Sequence, residues 1–301
     1  MCLIALAIGA SARWPLVVAA NRDEFLDRPS LPLARWTTPE GAEVISGRDL
    51  RAGGAWLGVT PAGRVAMLTN VREPSSQPAR LSRGELTLRW LAGDADADRF
   101  LAQCDSRAYG PCNLVLGDFR SGEWTYASNR AGHLPGPDHG AASPRPAPRL
   151  DWHARRLEPG IYGLSNAALD TPWPKTRDLK AALRQALQSA DETSLMASLW
   201  QALDNRQRAA LGELPHTGVP TEFEQALSSA FVDHPQLRYG TRCSTLLRVD
   251  PSPSGHAADC TAMVYEKTPL RRSELAATLT GPDSPLQTSC QLHWRRRELK
   301  V

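Results

Sequence analysis

The sequence predicts an α+β chain in which layered β-sheets are flanked by helices. Short apolar runs that suit strands open the chain, return in its middle and occur again towards its end, bounded by turns rich in glycine and proline. Leucine-spaced segments that suit amphipathic helices are grouped between these runs. This order favours sheets with helices packed outside them over a regular parallel βαβ arrangement.

The opening stretch predicts a β-hairpin. Residues 1–8 and 15–20 are largely apolar, and the polar residues 21–24 follow the second run directly. Because the paired strands of a hairpin run antiparallel, the polar residues return to the end of the sheet where the chain begins. We therefore expect them to lie beside the residue at position 2.

The rest of the chain divides into turn-bounded apolar runs and leucine-spaced segments. Further strands are predicted at residues 44–49, 55–60, 64–69, 113–118, 123–127, 160–165, 243–249 and 261–266. Helices are predicted in two segments between residues 82 and 104, at 173–190 and around 195–203. Residues 129–150, rich in proline and glycine, predict a mobile loop inside a single domain that spans residues 1–301.

Composition and charge exclude several classes of protein. Apolar residues make up 42% and charged residues 22% of the chain, which is typical of a soluble globular protein. The net charge is only +3, and without a concentrated basic stripe nothing favours a nucleic-acid partner. The apolar start is interrupted by Arg13 and Pro15, so neither a signal peptide nor a membrane span is predicted. We expect a cytoplasmic protein with no membrane partner.

The cysteines predict free thiols. Six cysteines are scattered along the chain without a CxxC pair or the spacing of metal ligands, which agrees with a reducing compartment. His256 and Cys260 stand four residues apart, but one such pair does not make a ligand set. No metal and no cofactor are therefore expected.

Cys2 can combine a nucleophile and a base in one residue. Its side chain is small enough for the initiator methionine to be removed, which would leave a thiol and a free α-amine together. Because the ordinary pKa values of these groups lie near ~8.5 and ~7.7–8.0, they exchange a proton readily close to neutral pH. An arginine among residues 21–24 would favour the thiolate, and an aspartate there could hold the amine. Taken alone, the position also suits a buried small hydrophobe beside a solvated turn.

Several separate motifs occur along nearly the full chain. They are Met1-Cys2, Ala19-Ala20-Asn21-Arg22-Asp23-Glu24-Phe25, Gly47-Arg48-Asp49, Gly53-Gly54, Trp56-Leu57-Gly58, Leu68-Thr69-Asn70-Val71-Arg72, Gly163-Leu164-Ser165-Asn166 and Tyr239-Gly240-Thr241-Arg242-Cys243-Ser244. Together, and in this order, they resemble the NRDE family, also called the transport and Golgi organisation 2 family. The chain looks like a bacterial member of that family.

The family in turn resembles N-terminal nucleophile hydrolases of the choloylglycine hydrolase type. This resemblance implies an α+β fold, a four-layer αββα sandwich of two mainly antiparallel sheets flanked by helices. In those enzymes an N-terminal cysteine attacks an amide carbonyl, and its counterpart here is Cys2. The resemblance carries two asparagines of the oxyanion environment over to Asn70 and Asn166, and a late arginine over to Arg242.

An arginine and an aspartate shortly after the nucleophile complete the site that the resemblance implies. The order of residues 21–24 leaves two alternatives open, which are Arg22 with Asp23 and Asn21 with Glu24. Taken singly, Asn70 and Asn166 also suit ordinary turn positions, Arg242 suits a surface ion pair, and residues 21–24 suit a solvated turn. Together with Cys2 they form the nucleophile, base and oxyanion donors that amide cleavage requires.

The resemblance thus implies an amidohydrolase that cleaves a non-peptide carbon–nitrogen bond of a small molecule, and it leaves homo-oligomerisation open. The alternative, from a different class, is a non-enzymatic carrier that handles haem, because members of the family have been linked to haem trafficking and to secretory organisation. For haem, the sequence has no CxxCH and no histidine in any shared motif.

Overall fold

Two antiparallel β-sheets form the centre of the molecule. The computed structural model describes residues 2–74, 79–130, 152–251, 259–269 and 286–295. In spatial order, the first sheet consists of β10 (Gly160–Leu164), β1 (Cys2–Ile8), β2 (Leu16–Phe25), β12 (Tyr239–Pro251), β13 (Asp259–Thr268) and β14 (Leu286–Arg295), with β11 (Asp233–His234) paired on β12. The second consists of β3 (Ser30–Thr37), β4 (Glu43–Asp49), β5 (Leu57–Val59), β6 (Arg64–Asn70), β7 (Cys112–Asp118), β8 (Glu123–Ser128) and β9 (His153–Arg156).

The two sheets pack face to face through apolar side chains. Ile4 and Leu6 of β1 belong to the same buried cluster as Val65 and Met67 of β6. Successive residues of a strand point to opposite faces, so Leu3 lies on the other side of the first sheet. Because both faces of β1 are covered, its sequence is apolar throughout and does not alternate.

Helices cover the outer face of each sheet. They are α1 (Arg83–Ala92), α2 (Ala97–Ala102), α3 (Pro174–Ala186), α4 (Glu192–Leu203) and the short α5 (Thr221–Ala226). Leucines of α3 and α4 join Leu3 in the outer cluster of the first sheet. On the second sheet, Trp90 of α1 packs in the outer cluster and donates from Nε1 to the Val65 carbonyl at 2.9 Å. The layers therefore run helix, sheet, sheet, helix, and the expected αββα sandwich is confirmed.

Most predicted elements are present, and the strands that prediction missed lie at sheet edges. β3 and β9 are the two edges of the second sheet, and β14 is an edge of the first. Edge strands bury little and tolerate proline and charge, so they lack the apolar runs that identify central strands. β3 contains Pro32, where its pairing with β4 is irregular. Of the loop predicted at residues 129–150, positions 131–150 lie outside the described residues.

The register of β1 and β2 brings the two ends of the hairpin together. Cys2 is opposite Arg22, and the pairing continues without a shift to Ile8 opposite Leu16. The polar residues 21–24 thus complete a strand whose earlier part is apolar core. Within the described part of the chain, no helix is long and apolar enough to cross a membrane.

Candidate active site

Cys2 is the first residue of β1 and lines a small cavity at the start of the strand. Even-numbered residues of β1 face the second sheet, so the Cys2 side chain points between the sheets. The cavity has a volume of about 90 Å³. Arg22, Asp23, Glu24 and Asn70 line it as well, and four of the predicted site residues thus share one cavity with Cys2.

Arg22 is held beside Cys2 by charge and by an aromatic ring. Its Nη2 donates to Asp49 Oδ2 at 3.0 Å, and its guanidinium lies 4.3 Å from the centre of the Trp56 ring. Position 47 has to be glycine, because a Cβ there would lie 2.2 Å from Cη2 of Trp56. Arg28 donates from Nε to the same Asp49 oxygen at 2.5 Å. Two arginines and one carboxylate therefore form a fixed wall of the cavity.

Asp23 lies beside the start of the chain. Asp23 directly follows Arg22, which is opposite Cys2 in the antiparallel pair. Its Oδ1 accepts a hydrogen bond from Thr241 Oγ1 at 2.7 Å, and its carbonyl accepts one from the Tyr239 hydroxyl at 2.9 Å. Burial raises the pKa of the Asp23 carboxyl, while Lys175, the positive charge at the chain start and the Thr241 hydrogen bond act to lower it.

The structure separates the two alternatives for the early polar pair. Asn21 points to the helical layer, where its Nδ2 donates to the carbonyls of Leu203 and Ala230, each at 2.8 Å. Glu24 lines the cavity, but its Oε1 accepts a hydrogen bond from the backbone N–H of Phe25 at 2.9 Å. Arg22 and Asp23 are therefore the pair that the fold brings to Cys2 together.

The two predicted asparagines occupy different positions. Asn70 ends β6 and lines the cavity. Asn166 follows β10, and its Nδ2 donates to the Asn70 carbonyl at 2.9 Å. Its neighbour Ser165 donates from Oγ to the Cys2 carbonyl at 3.1 Å. Asn70 is thus available to a reacting group, whereas Asn166 and Ser165 hold the ends of β6 and β1 in place.

Arg242 is not brought to Cys2. It falls at the point where the pairing of β12 with β2 shifts register, and its Nη1 donates to the carbonyls of Phe25 and Leu26. Its side chain lines a neighbouring cavity of about 120 Å³, which shares Arg22 and Trp56 with the Cys2 cavity. Arg242 was expected to contact the nucleophile, but its side chain is bound to the carbonyls of Phe25 and Leu26 instead.

Burial decides the state of the thiol. It raises the pKa of Cys2 above its ordinary value, and Asp23 and Glu24 add to this rise. Arg22 and the positive charge at the chain start lower the pKa but do not overcome the effect of burial. Arg22 therefore acts in the expected direction, towards the thiolate, but burial has the larger effect, and the thiol needs a base to take its proton.

A second group of charged residues, absent from the sequence interpretation, lies behind Asp23. Lys175 of α3 and Glu224 of α5 are buried, as is Arg72, which follows β6. Arg72 Nη1 pairs with Glu224 Oε2, and its guanidinium lies 4.8 Å from the centre of the Trp173 ring. Arg72 ends the Leu68–Arg72 motif, but Lys175 and Glu224 lie in none of the motifs that carry the family resemblance. Only long-range packing therefore brings the three residues together.

The family of the chain follows from two comparisons with known sequences. The family model described as "Transport and Golgi organisation 2" matches residues 1–264. The chain belongs to this family. The mouse transport and Golgi organization 2 homolog is 30% identical over 270 residues, covering 86% of this chain and 90% of the mouse protein. The human homolog is 32% identical over 255 residues, covering 79% of this chain and 83% of the human protein.

Solved structures with a related arrangement share little sequence with this family member. A Caenorhabditis elegans N-acylethanolamine-hydrolyzing acid amidase ortholog matches with a TM-score of 0.46 and 11% identity, covering 82% of this chain and 92% of that one. Penicillin V acylase from Agrobacterium tumefaciens matches with a TM-score of 0.47 and 10% identity, covering 89% and 83%.

Proposed function

We propose that the chain is a hydrolase of a non-peptide carbon–nitrogen amide bond in a small molecule. Cys2, made N-terminal by removal of Met1, is the nucleophile, and its own α-amine is the base. The observation that carries the proposal is that Asp23, whose carboxyl is influenced by the positive charge at the chain start, lines the same cavity as Cys2 and Asn70. Nucleophile, amine anchor and amide donor thus converge on one small space.

The first step is a proton transfer within residue 2. Burial raises the pKa of the thiol, so at neutral pH the sulfur carries its proton. The neutral α-amine accepts that proton as the sulfur attacks the substrate carbonyl carbon, and an ammonium forms next to the Asp23 carboxylate. The buried carboxylate stabilises the new positive charge and orients the amine.

The second step places negative charge on the carbonyl oxygen of the substrate. Asn70 lines the cavity, and its side-chain amide can donate a hydrogen bond there. Asn166 fixes the Asn70 backbone through the 2.9 Å hydrogen bond to its carbonyl. A donor held in place before the reaction stabilises an oxyanion without paying for reorganisation.

The remaining steps return the enzyme to its starting state. The α-ammonium gives its proton to the nitrogen of the leaving group, the carbon–nitrogen bond breaks, and a thioester joins the acyl group to Cys2. Water then attacks the thioester, its proton passes to the α-amine, and the amine returns that proton to the thiolate as the acid departs. No group outside the chain, the substrate and water is required.

We propose that the protein is cytoplasmic and that its substrate is a small-molecule amide. The cavity of about 90 Å³ has room for the reacting part of a small molecule. All six cysteines are free, which suits a reducing compartment.

The test is a hydrolysis screen of small amides with two proteins of equal purity. Wild-type protein with Cys2 at its N-terminus should release amine from at least one amide class. Cys2→Ala should release none while melting close to the wild-type temperature, since the side chain is small in both. A parallel haem titration, followed by absorbance, examines the carrier alternative. Turnover that survives in Cys2→Ala would remove the nucleophile and with it the proposal.

A further inference from the structure

Lys175 is an unusual residue for its position. Its side chain is only 4% exposed, and its Nζ has no hydrogen-bond partner among the residues that the structure describes. It stands in the first turn of α3, where the helix dipole disfavours a positive charge. Of the 35 lysines and arginines in the chain, only four are lysines, so a buried lysine here stands out against a background of arginine.

The groups around Lys175 come from four different parts of the fold. Asp23 of β2 and Glu224 of α5 are negative, Arg72 after β6 is positive, and Cys2 of β1 carries the thiol. Tyr239 of β12 reaches the same place through its hydrogen bond to the Asp23 carbonyl. Asp23, Arg72 and Glu224 are each at most 7% exposed, so their charges act on one another with little screening by water.

The positive charges near Asp23 differ in how strongly they act on its carboxyl. Arg72 pairs with Glu224, and the two charges that lower the pKa of Asp23 most are Lys175 and the chain start, ahead of Arg72. In a mature chain the second of these would be the α-amine of Cys2, so two amines act on the same carboxylate. If Lys175 were absent, Asp23 would stabilise the α-ammonium more strongly, and the amine would hold its proton more tightly and be a weaker base.

We propose that Lys175 is a positioning residue that acts through the α-amine of Cys2, by supplying the positive charge that Asp23 would otherwise draw from that amine. This inference rests on the proposed function, because it assigns the amine the role of base. With Lys175 charged, a protonated α-amine faces a second cation beside a single carboxylate. It therefore loses its proton more easily and is free to take the proton of the thiol.

The choice of lysine over arginine fits this role. Burial lowers the pKa of Lys175 to about 8, with Asp23 acting in the opposite direction. Lys175 is thus charged at neutral pH, when the amine must be free, yet it carries a compact charge without the fixed donor geometry of a guanidinium. An arginine at the same place would tend to bind Asp23 in a fork and displace the amine from it.

The direct test follows the α-amine by NMR in protein labelled with [2-13C]cysteine. Only Cys2 has an α-carbon attached to a free amine, so its signal reports the titration of the coupled amine and thiol. The coupled titration has two midpoints. In the wild type, the midpoint at the lower pH, called the first midpoint, should lie below the ordinary range of ~7.7–8.0 for an α-amine. A first midpoint within or above that range would overturn the proposal without the need for any variant.

Variants of α3 then separate charge from packing. Lys175→Met should raise the first midpoint by about one unit, because the neighbouring positive charge is gone. Lys175→Arg keeps the charge, so its first midpoint should not rise. Lys180→Met is the matched control, since this lysine of the same helix pairs with Asp170 at 2.5 Å, away from the cluster. An unchanged midpoint in folded Lys175→Met would contradict the inference.

The two proposals fail in different ways. None of these titrations requires a substrate, so a low midpoint that depends on Lys175 would support the inference even if no amide were hydrolysed. Conversely, hydrolysis that requires Cys2, together with a midpoint indifferent to Lys175, would leave the proposed function standing and remove Lys175 from it.

Discussion

Cys2 and Cys243 offer a comparison within the molecule, because the two cysteines flank the same arginine. Cys2 of β1 and Cys243 of β12 are each paired with Arg22 of β2, from opposite sides. Both are buried, and burial raises the pKa of each thiol. Neither burial nor the arginine therefore distinguishes a nucleophile from a structural cysteine.

The difference lies in the groups that can exchange a proton with each sulfur. Cys243 faces Glu266, a buried carboxyl whose own pKa is raised by burial and which raises the pKa of that thiol further. Cys2 has Asp23 and, after processing, an α-amine in its own residue. A base close to the sulfur, and not an acidic thiol, is thus what sets Cys2 apart.

The largest expected effect separates the two cysteines by activity. Cys2→Ala should abolish amide hydrolysis, whereas Cys243→Ala should retain most of it, because only Cys2 has the amine in its own residue. Turnover of the substrate found in the amide screen measures both, with melting curves as the control for folding. Equal losses in the two variants would erase the distinction.

The next effect tests whether the two asparagines play different parts. Asn70→Ala removes a donor that lines the cavity and should lower kcat by about 10²–10³-fold. Asn166→Ala removes only the brace on the Asn70 carbonyl and should lower kcat less. If Asn166→Ala proved the more damaging at equal melting temperature, the assignment of the cavity donor to Asn70 would be wrong.

A smaller effect concerns the reactivity of the thiols. Iodoacetamide should label Cys2 faster than Cys243 at pH 8, because the pKa of Cys243 is raised well above its ordinary value, whereas the positive charge at the chain start lowers the pKa of Cys2. Because burial raises the pKa of Cys2, its labelling should slow as the pH falls below neutral. Peptide mass spectrometry across pH measures both rates. Labelling of Cys2 that persists undiminished at acidic pH would show a depressed thiol pKa instead.

The smallest effect is a change with pH in the contribution of Lys175, near Cys2, to the free energy of unfolding. The pKa of Lys175 is lowered from 10.5 to about 8, so between these values the unfolded chain binds more protons than the folded one. The contribution of Lys175 to the free energy of unfolding should therefore increase as the pH rises from about 8 to about 10.5. The difference in the free energy of unfolding between wild type and Lys175→Met, measured with denaturant, should change along this slope, because all other groups titrate in both proteins.

Prediction from sequence succeeded where local pattern and physical constraint coincide. The apolar runs of β1 and β2 fix their faces, and antiparallel pairing then brings Arg22 and Asp23 to Cys2. Trp56 lies in one of the shared motifs, but its role, which is to hold the Arg22 guanidinium against its ring, could be seen only in the structure. The pairing that brings Arg22 to Cys2 follows from contacts within one hairpin, whereas the contact of Trp56 with Arg22 joins the two sheets.

The rest of the site depends on distant segments and could not be predicted. Arg242 lies in a shared motif, yet the irregular pairing beside it directs its side chain to the Phe25 and Leu26 carbonyls. Lys175 of α3 and Glu224 of α5 lie far along the chain from Asp23, and only the fold brings these charges together. The state of the Cys2 thiol likewise depends on burial, which one sequence does not measure.

The most direct test of the central claim changes the amine and nothing else. The chain is produced with a short N-terminal extension that joins Cys2 through an amide bond and ends in a protease site, so that cleavage exposes Cys2. The extended protein keeps the thiol but has no basic nitrogen at residue 2, and it should be inactive in the amide screen until the protease releases it. Hydrolysis by the uncleaved protein at the rate of the cleaved protein would contradict the account, even if Cys2 proved essential.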